Sequence, residues 1–451
     1  MNSIFSIRHQ REYAFLLLPL IVSTLSQPLL GVVETAMAGR LQSPAHIAGV
    51  AVGTVIFNTM FWLLGFLRVG VTGFSAQARA LGKPDEIWRS FAQPCLLAVL
   101  LGLVIIVLQG PLFQLAMLFL KLKADVGAVT HVYYQILVWA APLVLVNYVV
   151  LGWLMGQGRM REIVIMQVGG NLLTILLDLL LVQWFGCGVA AIAGAACAGH
   201  VFALLCGLRF LLPLLPKNAA SIGSIVQGAA LWRMLRVNCD LLLRTACLLV
   251  QVNIFMASSS ALGTLTLSAN AILVQIMLCF SYLFEGIANA SSIQAGMAIG
   301  KRDKASFHRV FGTTALWTAG SACCLSLLFV AVQSSVLPLF TSMPHVLAET
   351  AHYAAWGALF PLCAGWGLAF YGIFTGASLT RPVFWSTLLA LGAFLLVWKV
   401  ALPLWGNNGL WLAYMVFYLG RSLFLSAWWP SLWRLFDNYG ERVARPANVT
   451  A

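Results

Sequence analysis

The stretch FLRVGVTGFSAQARALGKPD (66–85) is followed 218 residues later by FEGIANASSIQAGMAIGKRD (284–303). Both are mainly apolar segments, rich in small residues, that run into a polar turn. Gly82 and Asp85 of the first turn match Gly300 and Asp303 of the second. Working outward, Pro142 matches Pro361 at an offset of 219, and Gly152, Gly156 and Arg161 match Gly372, Gly376 and Arg381 at 220. Trp184, Gly188 and Gly199 match Trp405, Gly409 and Gly420 at 221. One such pair means nothing, but an offset that drifts slowly across five segments marks a duplication.

The segments themselves are of membrane type. Of 451 residues, 61% are hydrophobic and only 9% charged, and the mean hydropathy is +0.92. A soluble domain carries about a quarter charged residues, so lipid must be the solvent for much of this surface. Spans of about 20 mainly apolar residues fall near 13–38, 45–79, 92–109, 127–156, 162–184, 188–213, 237–259, 265–299, 308–334, 347–376, 382–404 and 408–430. Residues 110–126 and 335–346 are expected at the interface. The expected organisation is an N-terminal lobe (1–213), a linker (214–236), a C-terminal lobe (237–430) and a cytoplasmic tail (431–451). Six spans is an even number, so the second half re-enters in the same orientation. The fold expected is an all-α integral membrane protein of twelve transmembrane helices, in two six-helix lobes related by a pseudo-two-fold axis along the membrane normal.

Charge orients the helices. With the N-terminus inside, 19 of the 26 Lys and Arg fall on the cytoplasmic face. Arg40, Lys121, Lys123 and Lys399 fall outside, and Arg68, Arg244 and Arg421 fall within spans. This is the asymmetry of the positive-inside rule. It predicts a multi-pass protein of the cell inner membrane with both termini cytoplasmic, and it absorbs most of the net charge of +13 without a nucleic-acid partner. The ten cysteines are scattered through apolar runs without metal-ligand spacing, so no metal or cofactor is expected.

Few acids lie within the spans. Glu34, Asp178 and Glu285 are well inside, and Asp240 is near the start of one. An ionised carboxylate in hydrocarbon is costly and usually faces a cavity or a partner. Glu34 lies about five residues before its exit from the membrane and Asp178 about six before its own, on helices running the same way, so a rise of about 1.5 Å per residue puts them at nearly one depth. Asn171 and Thr174 precede Asp178 by seven and four residues, on roughly one helical face. Two carboxylates ringed by amide and hydroxyl oxygens suit a shared proton or a small cation, since both cannot stay ionised cheaply at low dielectric. The second half lacks a copy, because the counterpart of Asp178 is Lys399. Pro19 and Pro28 in the first span are candidate bending points. In the second half Arg244 and Glu285 are candidates for a buried ion pair with Asp240, Asn270 or Asn289 nearby, or for contact with a substrate.

These residues lie in segments that resemble the multidrug and toxic compound extrusion (MATE) transporters, and within them the DinF branch. PLLGVVETAMAGRL (28–41), GNLLTILLDLLLV (170–182), NCDLLLRT (238–245), YGIFTGA (371–377) and GLWLAYMVFYLGRSL (409–423) carry the resemblance together with the two stretches quoted first. The resemblance implies export of amphipathic, often cationic, organic compounds by alternating access, coupled to entry of protons or sodium. It also implies a first-helix acid at Glu34, where the family usually has aspartate, and Pro19 as the residue at which that helix bends. Thr174 stands where the family usually has asparagine, and Tyr371 where some relatives have aspartate.

The expected partners are small amphipathic molecules and membrane lipids, and the expected assembly is a monomer. A lipid-linked precursor flippase of the same superfamily is the alternative; the lack of two extra helices and of a strongly cationic cavity counts against it. A membrane-embedded enzyme would need metal spacing or a nucleophile with a base at membrane depth, and neither is found. The topology is tested by labelling with an impermeant maleimide in a cysteine-free background. A cysteine replacing Leu122 should react from outside and one replacing Arg302 should not; the reverse pattern would invert the orientation.

Overall fold

Within a bilayer the backbone must satisfy its own hydrogen bonds, which leaves a chain of this composition only helices. The computed structural model describes residues 7–38, 44–120, 124–184, 188–215, 228–341 and 343–444. It contains helices α1 (Ile7–Ala38), α2 (Pro44–Leu64), α3 (Phe66–Leu81), α4 (Pro84–Val107), α5 (Gln109–Leu120), α6 (Ala124–Leu137), α7 (Ala141–Gly156) and α8 (Met160–Asp178). There follow α9 (Val189–Leu211), α10 (Gly228–Ala261), α11 (Thr264–Gly300), α12 (Lys304–Val336), α13 (Pro344–Gly376), α14 (Thr380–Trp405), α15 (Asn407–Ser426) and α16 (Trp429–Ala444). No strand occurs among the described residues. Eleven helical stretches among them, from Ala48–Leu81 to Asn407–Asp437, are long and apolar enough to cross a membrane. The 32-residue α1 has the length for a twelfth, as expected. Large apolar side chains such as Val107, Leu118, Leu327, Leu396 and Leu404 are exposed, as a lipid-facing surface requires.

Three segments outside the expected spans have helical structure of their own. The stretch assigned to the interface at 110–126 is largely the helix α5, and the stretch at 335–346 includes a 3-10 turn over Leu337–Leu339. The tail after residue 430 is mostly the helix α16. Its Trp433 stacks on His308 at 4.1 Å and its Asp437 accepts a hydrogen bond from Lys304 at 2.9 Å. Most of the linker lies outside the described residues, and its final part is the start of α10.

The chain divides into two compact units, Leu18–Asn238 and Cys239 to the C-terminus, the latter including the start of the chain through Leu17. The first 17 residues thus group with the unit that contains the second half of the chain. Contacts early in α1 explain why: Tyr13 Oη and Ser291 Oγ are 3.2 Å apart, and Trp317 Nε1 donates to Gln10 Oε1 at 2.6 Å. The changeover between Leu17 and Leu18 falls beside Pro19.

Within each unit the helices pack in the same pattern. In the first, α3 packs on α7, α4 on both of these, α8 on α9, and α9 on α7; in the second, α11 packs on α13, α12 on both, α14 on α15, and α15 on α13. The duplicated glycines explain the closest of these contacts. Gly152 and Gly156 form a GxxxG step on α7, and Gly372 and Gly376 form one on α13. A Cβ at Gly152 would fall on the Arg68 carbonyl oxygen, and one at Gly156 would lie 2.5 Å from Ser75 Cβ and 2.7 Å from the Ala76 nitrogen. A Cβ at Gly372 or Gly376 would fall on the carbonyl oxygen of Ala288 or Ser292. Lipid gives helices no hydrophobic reason to associate, so close approach of this kind supplies the packing.

The units differ in continuity. Where α11 is unbroken, its counterpart is split into α2 and α3 at Gly65. Where α13 runs through Pro361, its counterpart breaks into a 3-10 turn over Val138–Ala140, just before Pro142. Where α14 is regular, its counterpart α8 ends at Asp178 and continues as a π-helical turn over Leu179–Trp184.

The GxxxG packing makes a sharp prediction. Gly372→Ala should lower the thermal unfolding midpoint, because the clashing atom is backbone and cannot rotate away. Gly392→Ala, on a helix of the same unit with nothing within 4 Å of the added methyl, should raise stability by up to about 1 kcal/mol through helix propensity. Equal effects of the two would refute the packing argument.

Candidate functional site

The acid pair belongs to the Leu18–Asn238 unit. Asp178 is the last residue of α8 and the π-turn follows it directly. Its side chain is fully buried, and neither carboxylate oxygen has a hydrogen-bond partner among the described residues. A π-turn widens the helix and is common at functional sites. An anionic carboxylate there, without a donor among the described residues, would cost several kcal/mol.

Seven residues earlier on α8, Asn171 donates from Nδ2 to Ser26 Oγ on α1 at 3.1 Å, and Ser26 Oγ in turn donates to the Ser23 carbonyl at 2.8 Å. This bond fixes the register of the two helices. Asp178 lies about 10 Å beyond Asn171 along α8, and Glu34 about 12 Å beyond Ser26 along α1. On helices running the same way, these rises would bring the two acids to one level, the depth expected from the sequence. The Glu34 side chain lies outside the described residues, although its backbone belongs to α1.

Thr174 has a different position from the one its spacing suggested. It is buried at the α8–α9 contact, and its hydroxyl donates to the Gly170 carbonyl at 3.1 Å, with the Ala195 carbonyl at 3.5 Å. A Cβ at Gly199 would fall on its Oγ1. Its hydroxyl proton is thus committed to helix packing, and only its lone pairs remain for a cation. Pro19 sits half-buried in α1. Just after it, Thr24 Oγ1 bonds the carbonyls of Leu20 and Ile21 at 3.1 and 3.0 Å. Side-chain bonds to the backbone of this kind offer the helix an alternative partner beside the proline.

In the second unit the four candidates separate. Asn270, fully buried, spends its whole amide on structure. Nδ2 donates to Ser259 Oγ at 2.8 Å and Asn407 Oδ1 at 2.7 Å, while Oδ1 accepts from Asn407 Nδ2 at 3.0 Å and Trp411 Nε1 at 2.9 Å. It ties α11 to α10 and α15 and has no bond to spare for a ligand. Glu285 lies half-buried 15 residues further along α11, about 22 Å away, so the two cannot form one site. Asp240 Oδ2 accepts from Thr380 Oγ1 at 3.0 Å. The guanidinium of Arg244 lies over the Tyr371 ring, 4.5 Å from its centroid. Asp240 stands one turn before Arg244 on α10, whereas Asn270 is held in the network with α15.

Two partners were missed in the sequence. Ser26 sets the register of α1 on α8 and is an ordinary-looking serine. Arg421 was placed within a span and given no role, yet it is 4% exposed; an arginine in an apolar run is itself the signal of a specific environment.

Comparison with known proteins agrees with this architecture. The MatE family model matches residues 19–180 and 242–398. The DNA damage-inducible protein F of Escherichia coli (strain K12) is 32% identical over 93% of this chain and 92% of its own. The probable multidrug resistance protein NorM of Acinetobacter baylyi is 24% identical over 91% of this chain and 94% of its own. A solved structure described as MATE in the bent conformation superposes with a TM-score of 0.86 at 16% identity, covering 96% of each chain, which establishes the fold. The two-part match of the family model, one part within each half of the duplication, completes the assignment: the chain belongs to the MATE family of multidrug efflux transporters.

Proposed function

We propose that this chain is an antiporter of the inner membrane, with both termini cytoplasmic, that exports amphipathic organic compounds in exchange for protons by alternating access. The observation that carries the reading is Asp178, fully buried and with neither carboxylate oxygen partnered among the described residues. Such a group can be neutralised by a proton when closed to water and can regain its charge when hydrated. Protonation drives transport only if it favours one conformation over another. The groups joined to Asp178 are suited to that: a π-turn begins at the next residue, and the Asn171–Ser26 bond links its helix to α1. In α1, Pro19 lies beside the residue where the helix passes from one compact unit into the other, which supports it as the bend. Protons fit the pair better than sodium, because Thr174 stands where the family usually has an amide that could serve as a cation ligand.

The test is transport by the full-length protein in proteoliposomes under separately imposed proton and sodium gradients. A proton gradient alone should drive ethidium export and a sodium gradient alone should not. Glu34→Gln and Asp178→Asn should each reduce proton-driven export at least tenfold, with unfolding midpoints showing that the variants remain folded. Glu34→Asp, which keeps a carboxyl, should retain transport. Export by Glu34→Gln at the wild-type rate would place the coupling site elsewhere.

A further inference from the structure

Helix α1 is tied down on both sides of its proline. Near its start, Gln10 and Tyr13 stand three residues apart on one face. They meet a pair of the same spacing on α12, Thr314 and Trp317, and Ser291 of α11 bridges Tyr13 to Thr314. Tyr13, Ser291 and Thr314 are all fully buried. Tyr13 Oη lies 3.2 Å from Ser291 Oγ, which lies 2.7 Å from Thr314 Oγ1. Ser291 and Thr314 each reach a carbonyl one turn back, those of Ile287 and Val310, at 2.8 Å. Their protons thus have acceptors on their own helices, and the Tyr13 proton is the one left to close the bond to Ser291. Beside this chain of hydroxyls, Trp317 Nε1 donates to Gln10 Oε1 at 2.6 Å, and the Trp317 ring lies 5.6 Å from that of Tyr13. All these residues belong to the unit that contains the second half of the chain.

Further along α1, Ser26 is bonded to Asn171 of α8, and both belong to the other unit. Pro19 falls between the two attachments. It has no N–H, so one rung of the helical ladder is already missing there, and Thr24 competes for the carbonyls of Leu20 and Ile21. Freeing the start of α1 would strand a tyrosine hydroxyl in a buried site and an indole N–H beside it, which is costly. Bending where a hydrogen bond is absent is cheaper.

We propose that Gln10 and Tyr13 are positioning residues, which hold the start of α1 on α11 and α12 throughout the transport cycle. The bend at Pro19 then moves the arm that carries Ser26 and Glu34, and the start of the helix stays fixed. This role rests on the export reading above and adds to it a fixed end for the bend.

The direct test is hydrogen exchange of the full-length protein in lipid nanodiscs at acidic and alkaline pH, corrected for the intrinsic pH dependence of exchange. Protection of residues 7–17 should stay the same while that of residues 20–38 changes. Tyr13→Phe/Trp317→Phe, which keeps both rings and removes both hydrogen bonds, should raise exchange in 7–17. It should also lower ethidium turnover at least fivefold in proteoliposomes with ethidium affinity unchanged, a split that general destabilisation would not give. If that variant does not fold, Tyr13→Phe alone should show the same split to a smaller degree. Wild-type turnover in the folded variants, or a pH response in 7–17 as large as that in 20–38, would overturn the anchor. No pH response in either segment would also overturn it, by removing the bend it confines. Permanence is tested in a cysteine-free background by joining Gln10→Cys and Trp317→Cys with a short bis-methanethiosulfonate. Export should continue after cross-linking at no less than its previous rate, and arrest would show that the contact must open. A wild type that exports no ethidium would sink the export reading while exchange still decides the anchor; export with a start that responds to pH would do the opposite.

Discussion

Backbone-to-backbone contact between helices is the constraint on which each unit of this protein is built. In lipid, two helices with ordinary apolar faces gain little by meeting, because the tails they displace are as apolar as they are. At Gly152 and Gly156 on α7, and at Gly372 and Gly376 on α13, the missing side chains let the facing helix come close enough for backbone atoms to occupy the vacated space. Hydroxyl groups reinforce the crossing in the first unit, where Ser75 Oγ donates to the Trp153 carbonyl at 2.8 Å. The other helices pack around these two crossings in the same order in both units.

On that shared frame the units have diverged. The second is regular along α11, α13 and α14 and is pinned by the Asn270–Asn407–Trp411 network, in which every hydrogen bond of the Asn270 amide is used. The first is interrupted at Gly65, at Val138–Ala140 and at the π-turn after Asp178. Interruptions weaken the helical ladder and give a segment alternative backbone arrangements. The unit that carries the buried acid is therefore also the one whose helices can change shape most cheaply. The regular unit carries Arg244 and Arg421.

Much of this was legible in the sequence, for identifiable reasons. Hydropathy marks spans because lipid exposure acts on every residue of a segment, and the repeat was visible because glycines at a helix crossing cannot be replaced without a clash. Asp178 stood out because a carboxylate in an apolar run is costly. What escaped depends on which helix faces which. Asn270 looked like a candidate site residue because its partners, Ser259, Asn407 and Trp411, are 11, 137 and 141 residues away. Thr174 drew attention by its spacing, whereas the packing role of its hydroxyl proton at the α8–α9 contact depends on a carbonyl of another helix, Ala195. The breaks in the first unit carry weak signals, since Pro142 and Pro361 are matched prolines and only the former lies beside a break. α16 was read as a tail because a short amphipathic helix has too little apolar length to register as a span.

The coupling claim can be tested without transport, by counting protons. Ethidium binding to the purified protein is measured by titration calorimetry in buffers of different ionisation enthalpy, for the wild type and for Asp178→Asn. If substrate and proton compete through the buried acid, the wild type releases protons on binding, up to about one per ethidium, and Asp178→Asn releases measurably fewer. Equal release by the two proteins, or none by the wild type at any pH from 5 to 8, would contradict a coupling role for Asp178.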